Sequence, residues 1–535
     1  MRSSHDSQAV SRRAAATVAM LLTLAVPAFA QVEPAPPRSE GEGPYNRLVL
    51  RNVMLIDGAG SPPQGPLNIV IEGNRITSVG GGGDAQGANA REIDLTGHYV
   101  MPGFVDLHVH TGGVPKAPEA EYMYKLWLAH GITTARGVPF GGGADWALSE
   151  RARSARNEIT APRMWVYERA GTSWDQGSVD TPEQARAWVR WAAAKGIDGI
   201  KLGAHDPDIM EALIDEAKQH GMGTTAHLQQ TGVGRMNAIQ AARLGLGTVT
   251  HFYGIFEALY KDRALQSFPV DYSYNDEQDR FGNVAMQWNM IHERGSDEWN
   301  ALIDEFLEHE TIMDPTMVAY LASREVMRTR NADWHTTYTL PSLWDFYAPS
   351  RDNHGSYYWD WSTWEETAWR NFYRVWMNFL NDYKNAGGRV TVSSDAGFIY
   401  NLYGFSTINE MELLQEAGFH PLEVLRGATL HGAEALFEPR EERIQFGVVR
   451  AGMLADLVVV GENPIKSLKV LYGTGQIRLN NETGQAERVG GIRYTIKDGI
   501  VYDAKELLAD VARMVEEQKR ERGLSTLPDI IFENQ

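Results

Sequence analysis

The stretch MPGFVDLHVHTGG, residues 101–113, decides how the rest of the chain is interpreted. It is an apolar run that ends in two histidines, His108 and His110, one residue apart. Because alternate side chains of a strand share a face, both rings would point to the same side of a buried strand. Buried polar rings need partners, so the meaning of this pair depends on what other strands supply.

The middle of the chain repeats this kind of run. Apolar or β-branched stretches alternate with helical patterns, two of which, residues 208–220 and 233–244, stop at Gly221 and Gly245. The eight runs are GFVDLHVH, GITTARGV, RMWVYERA, GIKLG, GTTAHL, TVTHFY, ETIMDPTM and RVTVSSDAG. Eight strands with intervening helices predict an α/β fold with a (β/α)8 TIM barrel; the alternative is an open doubly wound sheet.

Both ends of the chain have a different pattern. Short strand runs separated by Gly, Pro, Asn and Asp occur before and after the middle part, which predicts one β-sandwich built from both chain ends. The predicted division is 1–30 signal peptide, 31–44 linker, 45–100 first part of the β-sandwich, 101–440 TIM-barrel domain, 441–504 second part of the β-sandwich, and 505–535 C-terminal helix and tail.

Residues 256–381 contain an aromatic-rich insertion that is too long for one ordinary βα loop. The first interpretation is an inserted helical subdomain whose aromatic side chains pack its own core. The alternative is a lid over the active site that presents Trp359, Trp361 or Trp364 to an apolar substrate.

Composition excludes several classes of function. The chain of 535 residues has a formal net charge of −19 and no basic run, so nucleic acid is not an expected partner. It has no cysteine, which excludes disulfides and thiolate metal sites. Any metal must be held by histidine, carboxylates or something rarer.

The first thirty residues read as a targeting segment. Arg12 and Arg13 precede the apolar run AAATVAMLLTLAV, and AFA before Gln31 fits a small-x-small cleavage site. This predicts cleavage after Ala30 and a periplasmic or secreted protein, with an uncleaved N-terminal anchor as the alternative. No other run is long and apolar enough to span a membrane.

Polar residues stand at the ends of five predicted barrel strands, where barrel active sites lie. They are His108, His110, Lys201, His227, His251 and Asp395. Each alone has an ordinary explanation, such as a helix N-cap for Asp395 or a core histidine for His227. Together, four histidines, one carboxylate and one lysine are what a two-metal hydrolytic site needs if the lysine is carbamylated.

With these residues in order, the chain resembles the amidohydrolase superfamily over residues 48–504. Flanking text matches as well, in GHYVMPGFVDLHVH, GITTARG and ATLHGAEALFEP. The imidazolonepropionase-like and prolidase-like enzymes are the subgroup that it most resembles.

The resemblance implies a role for each of the six residues. The implied sets are His108, His110 and Asp395 on the more buried metal, His227 and His251 on the second, and carbamylated Lys201 as the bridge. Zn²⁺ is the first expectation for both metals, with Mn, Co or Fe as alternatives. A hydroxide shared by the metals would attack a carbonyl carbon, with Asp395 as general base and then general acid.

The expected function is an exported, metal-dependent, dipeptidase-like hydrolase of a C–N bond in a small molecule, such as a dipeptide or an N-acyl amino acid. An esterase or lactonase on the same metals and a non-catalytic binding protein are the alternatives. Gln229 and Gly137 depart from the prolidase-like pattern, which leaves the substrate preference open. Tyr253, His205 and Gln229 are the candidate substrate contacts, and a homo-oligomer is left open.

Overall fold

The computed structural model describes residues 32–81, 90–113, 116–230, 232–274, 276–350, 355 and 360–525. The predicted signal peptide, residues 1–30, lies outside the described residues, and so does Trp359 of the proposed lid.

The strands fall into two main groups and one small hairpin. In chain order they are β1 (Leu48–Leu55), β2 (Gln64–Glu72), β3 (Arg75–Gly80), β4 (Arg91–Asp94), β5 (Tyr99–Pro102), β6 (Phe104–Val109), β7 (Ile132–Gly137), β8 (Arg163–Arg169), β9 (Gly199–Leu202), β10 (Gly223–Ala226), β11 (Thr248–Thr250), β12 (Ile312–Asp314), β13 (Leu457–Val460), β14 (Gln476–Leu479), β15 (Ala486–Val489), β16 (Ile492–Lys497) and β17 (Ile500–Asp503).

Most helices follow the barrel strands. They are α1 (Ala120–Ala129), α2 (Ala144–Ala155), α3 (Pro182–Lys195), α4 (Pro207–Gln219), α5 (Ala238–Arg243), α6 (Glu277–Val284), α7 (Asp297–Glu308), α8 (Leu321–Arg330), α9 (His335–Tyr338), α10 (Pro341–Phe346), α11 (Thr363–Asn385), α12 (Phe405–Glu416), α13 (Pro421–Arg426), α14 (Gly432–Phe437) and α15 (Ala504–Glu521).

The barrel sheet is parallel and runs in sequence order from β6 to β12. The predicted eighth strand differs from a regular one: within the described chain, residues 390–395 form only an isolated parallel bridge to β12, between Val390 and Met313. They still fill the gap back to β6, where the Asp395 N–H donates to the His108 carbonyl at 2.9 Å. The predicted (β/α)8 barrel is confirmed, with an irregular eighth position.

The second sheet takes strands from both chain ends. Within the described residues its order is β17-β16-β13-β5-β1-β2-β3, with β4 also pairing β1. Its buried aliphatic side chains form a core separate from that of the barrel. The prediction that the two ends of the chain build one β-structure is therefore confirmed, although β1 pairs β4 and β5 in parallel.

Gly103 joins the two sheets inside the opening stretch. β5 belongs to the sheet of the chain ends and β6 to the barrel, and this one residue separates them. A Cβ at position 103 would lie 2.1 Å from the Thr133 hydroxyl oxygen, so only glycine allows the close approach.

Two local predictions differ from the structure. The predicted helix over residues 233–244 is formed only from Ala238 to Arg243, because Asn237 caps it together with Gln240 in a reciprocal capping box. The predicted linker is packed in its described part: Val32 and Ala35 are buried, and the Ala35 N–H donates to the Glu150 carboxylate at 3.1 Å.

The aromatic insertion consists of two stretches, because α7 and β12 divide it. Its rings mainly pack together. Tyr320 stacks on Trp369 with ring centroids 5.7 Å apart, and Trp361 stacks on Trp369 with ring centroids 6.4 Å apart. Trp364 is 71% exposed. These contacts agree with the interpretation as a packed subdomain.

No helix among the described residues has both the length and the apolar character needed to cross a membrane.

The C-terminal helix α15 packs on α1 and buries Leu507, Leu508, Val511 and Val515. We expect Leu507→Ala to lower the free energy of unfolding by about 2–4 kcal/mol, because it removes a fully buried aliphatic side chain and leaves a cavity. Urea titration monitored by circular dichroism measures this. Glu517→Ala, an exposed change on the same helix, should stay within about 0.5 kcal/mol of the parent; equal effects of the two variants would contradict the docking of α15.

Candidate metal centre and active site

The structure places the six predicted ligand residues together at the carboxyl end of the barrel strands. Lys201 Nζ lies 2.9 Å from His108 Nε2, and His227 Nδ1 lies 3.1 Å from His251 Nε2. Asp395 lies between the two pairs: its carboxylate oxygens are 3.7 Å from both His108 Nε2 and His251 Nε2.

One part of this cluster already has the spacing of a metal site. His108, His110 and Asp395 each offer a ligand atom, and these atoms all lie within 4.8 Å of one another. His110 Nε2 is 3.4 Å from the Asp395 carboxylate. In addition, His227 Nε2 and one Asp395 oxygen are buried without a hydrogen-bond partner in the described structure. Such uncompensated buried atoms fit a site that is completed by cations.

Neighbouring groups fix which nitrogen of two rings, His110 and His251, faces the centre. The Pro139 carbonyl is 2.9 Å from His110 Nδ1 and can only accept, so Nδ1 carries the proton and the Nε2 lone pair faces Asp395. The Thr316 hydroxyl donates to the Pro315 carbonyl at 2.6 Å, so it accepts from His251 Nδ1. His108 differs, because its Nδ1 is 3.9 Å from the Asp314 carboxylate, beyond hydrogen-bond distance, and has no hydrogen-bond partner in the described structure.

This pattern, with Nδ1 held by a protein acceptor and Nε2 left as a lone pair, is how proteins orient imidazoles toward a metal. Burial keeps the rings neutral: it lowers the pKa of His251 to about 3 and lowers the pKa of His108 and His227 well below the usual value. The donor set therefore fits two divalent cations.

The site shifts Lys201 toward its neutral form but keeps Asp395 charged. Burial lowers the pKa of Lys201 to about 7, so much of it is the neutral amine near neutral pH. Burial alone would raise the pKa of Asp395, but the groups around it, His110 first and then His251 and Lys201, lower it below the usual range. Asp395 is therefore a carboxylate at neutral pH.

The backbone is unusual where the site residues stand. His251 and Asp395 have φ values of 64° and 47°, in the left-handed region, as do Gln229 at 64° and Thr316 at 50°. Such conformations cost about 1–3 kcal/mol each and collect at functional sites. Here they turn side chains at strand ends into the barrel mouth.

The predicted substrate contacts lie at different depths. Tyr253 is buried behind the site, where its ring stacks on His227 at 4.7 Å and its hydroxyl meets that of Tyr320 at 3.0 Å. His205 and Gln229 lie in the loops after β9 and β10 and are partly exposed. None of the three lines the cleft that opens onto Asp395.

That cleft is walled largely by residues that the sequence did not single out. Arg280 and Phe281 of α6, Tyr320, and Phe398 line it beside His227 and Asp395. The insertion therefore does reach the site, through Arg280, Phe281 and Tyr320 rather than through Trp361 or Trp364.

A buried ion pair beneath the site was also missed. Arg136 is fully buried and donates to the Asp314 carboxylate at 3.1 Å and to the Leu107 carbonyl at 2.6 Å. Asp314 also accepts from Thr391 at 2.9 Å and from Ser393. Asp314 is the last residue of β12, the strand within the seventh apolar run. The rule that polar residues at strand ends form the site could therefore have found it.

We expect Asp314→Asn to lower the free energy of unfolding by about 3 kcal/mol, because it leaves Arg136 buried without its counter-charge. It should also weaken metal binding roughly 10–100-fold, because the negative charge that faces His108 Nδ1 at 3.9 Å is lost. Urea titration and competition with a chelator measure the two effects. Asp304→Asn, on the exposed face of α7, should change neither; a variant of Asp314 as stable as this control would contradict the role of the pair.

Comparison with known proteins agrees with this architecture. No family model matches the chain. Dihydroorotase of Thermus aquaticus is 41% identical over 63 residues, 12% of this chain and 13% of that protein. Adenine deaminase of Methanoculleus marisnigri is 44% identical over 71 residues, again 12% and 13%. The chain thus spans about an eighth of the length of these curated relatives.

Solved structures match over most of their length at low identity. A Xaa-Pro dipeptidase with methionine in its active site has a TM-score of 0.57 and 18% identity, over 85% of this chain and 100% of that one. Bottromycin amidohydrolase has a TM-score of 0.60 and 19% identity, over 90% and 92%. The chain therefore shares the fold of the Xaa-Pro dipeptidase and of bottromycin amidohydrolase, as its resemblance to the amidohydrolase superfamily predicted.

Proposed function

We propose that the protein is a metal-dependent hydrolase of a C–N bond, an amide or a peptide, in a small molecule such as a dipeptide or an N-acyl amino acid. One observation carries the proposal: the Nε2 atoms of His108, His110 and His251 lie 3.4–3.7 Å from the Asp395 carboxylate at the carboxyl end of the barrel. The fold shared with the Xaa-Pro dipeptidase and bottromycin amidohydrolase supports it.

We propose the same two groups of metal ligands that the resemblance implies. His108, His110 and Asp395 would hold one cation, and His227 and His251 the second. Imidazole nitrogen and carboxylate oxygen suit Zn²⁺. Two divalent cations bound there would lower the pKa of water and polarise the scissile carbonyl.

Lys201 is proposed to bridge the two sets as a carbamate. Its neutral amine, favoured by burial, would add to carbon dioxide and release one proton, which leaves an anionic oxygen ligand on Nζ. Without that change, an ammonium 2.9 Å from His108 Nε2 would oppose cation binding.

Asp395 would move the proton of the reaction. Its carboxylate would accept a proton from the attacking water as the oxygen bonds to the carbonyl carbon. It would then give this proton to the leaving nitrogen as the C–N bond breaks. The products are a carboxylate and an amine. The same steps would hydrolyse an ester or a lactone, which remains the second candidate.

The activity is tested with enzyme expressed with Zn²⁺, Mn²⁺ or Co²⁺ and assayed on dipeptides, N-acyl amino acids, aryl esters and lactones. We expect close to two metals per chain by elemental analysis and turnover of a C–N substrate. Asp395→Asn should lower kcat roughly 10²–10⁴-fold, because the variant cannot accept the proton.

Asp145→Asn, whose side chain is 88% exposed, is the matched control and should keep full activity. Turnover of esters or lactones alone would favour the second candidate. Bound metal without any turnover would favour a non-catalytic binding protein on the same scaffold.

We also propose that residues 1–30 direct export and are cleaved after Ala30, on the strength of Arg12, Arg13 and the apolar run that follows them. The full-length chain should then appear in the periplasm or medium with Gln31 as its first residue, by N-terminal sequencing. A chain without residues 1–30 should stay in the cytoplasm; export of that shortened chain would contradict the proposal.

A further inference from the structure

Lys116 lies in the loop after β6, beside Phe398, which lines the active-site cleft. Its ammonium nitrogen is 3.6 Å from the ring centroid of Phe398 and 4.0 Å from that of Phe346. Phe398 also lines the cleft beside Asp395 and meets the His110 ring edge-on at 6.2 Å. The fold thus places a lysine side chain between two aromatic rings beside the proposed metal ligands.

The protein holds this lysine in place from both sides of its backbone. The Lys116 N–H donates to the Gly113 carbonyl at 3.0 Å. The Ser342 hydroxyl donates to the Lys116 carbonyl at 2.7 Å. Ser342 and Phe346 belong to the same helix, α10, so one helix fixes both the backbone of Lys116 and one of its ring neighbours.

What Lys116 lacks is a negative partner. Within the described residues its ammonium has no carboxylate within 4 Å and no hydrogen bond. Lys125, buried nearby in the chain, contrasts with it: Glu40, Glu121 and Asp510 lie within 2.6–2.9 Å of its Nζ. The aromatic faces stabilise a cation, but they offset only part of the cost of desolvating it.

Burial lowers the pKa of Lys116 to about 7, and the Asp395 carboxylate is the negative charge that raises it. The proposed site uses that carboxylate for the cations and for proton transfer, so it does not serve Lys116. Because the chain as a whole carries −19, its long-range field repels anions. Recognition of an anionic substrate therefore needs a local cation in the cleft, and Lys116 is placed for it.

We propose that Lys116 binds a carboxylate of the substrate and that Phe346 and Phe398 contact the apolar part next to that carboxylate. The inference rests on the proposed function and deepens it. It assigns the enzyme to amides that carry a free carboxylate, in preference to neutral amides of the same shape.

The test uses holoenzyme and matched pairs of N-acetyl amino acids and N-acetyl amino-acid amides, which differ only in the carboxylate. The parent should prefer the acids in kcat/KM. Lys116→Met should lower kcat/KM for the acids roughly 10–100-fold, mainly through KM, since a hydrogen bond to a charged group is lost. The neutral amides should be unaffected, and Lys116→Arg should retain most of the preference.

Lys469→Met, at an exposed lysine remote in the chain, is the control and should leave both members of each pair unchanged. An equal loss on acids and amides in Lys116→Met would overturn the inference, because it would show a structural role. A parent enzyme without preference for the acids would overturn it as well.

Calorimetric binding of the N-acetyl amino acids to the same holoenzymes separates this inference from the proposed function, because it needs no turnover. If Lys116→Met weakens binding of the acids alone while no amide is hydrolysed, the inference stands and the hydrolase proposal fails. If the acids bind both proteins equally, or do not bind the parent, the inference fails whether or not amides are hydrolysed.

Discussion

The buried ion pair between Arg136 and Asp314 is the interaction on which the barrel mouth depends. Arg136 on β7 reaches the backbone of β6 at Leu107 and the hydroxyls of Thr225 and Thr248 on β10 and β11. Asp314 on β12 accepts from residues in the irregular eighth segment. One pair thus joins strands across the barrel. Because both charges are removed from water, the pair is stable only when all of its hydrogen bonds to these strands are formed together.

The site above this pair depends on backbone conformations that are unfavourable by themselves. His251 and Asp395 both lie in the left-handed region. The Asp395 N–H is held by the His108 carbonyl and the His251 N–H by the Asp314 carbonyl. The folded barrel therefore holds these residues in unfavourable backbone conformations. Those conformations orient the imidazole and the carboxylate toward the centre of the site.

The sequence predicted the barrel and the cluster because both follow from local rules. Alternating runs predict strands and helices, and polar residues at strand ends meet at one edge. It did not predict the Arg136–Asp314 pair, since the partners are 178 residues apart and each alone resembles an ordinary strand residue. The eighth segment was predicted as a strand because its sequence alternates, but Asp106 and Asp314 accept hydrogen bonds from its Ser394 N–H and its Thr391 hydroxyl, and the regular ladder is lost.

By itself, then, the sequence determined the order of strands and helices and the order of His108, His110, Lys201, His227, His251 and Asp395 along them. Only the tertiary structure decided which imidazole nitrogens face Asp395. It also decided that Lys116 lies beside the cleft without a carboxylate partner among the described residues. The physical reason is that periodicity is a property of neighbouring residues. A hydrogen bond from His110 to the Pro139 carbonyl, or a ring from residue 346 or 398 against Lys116, needs segments that only folding brings together.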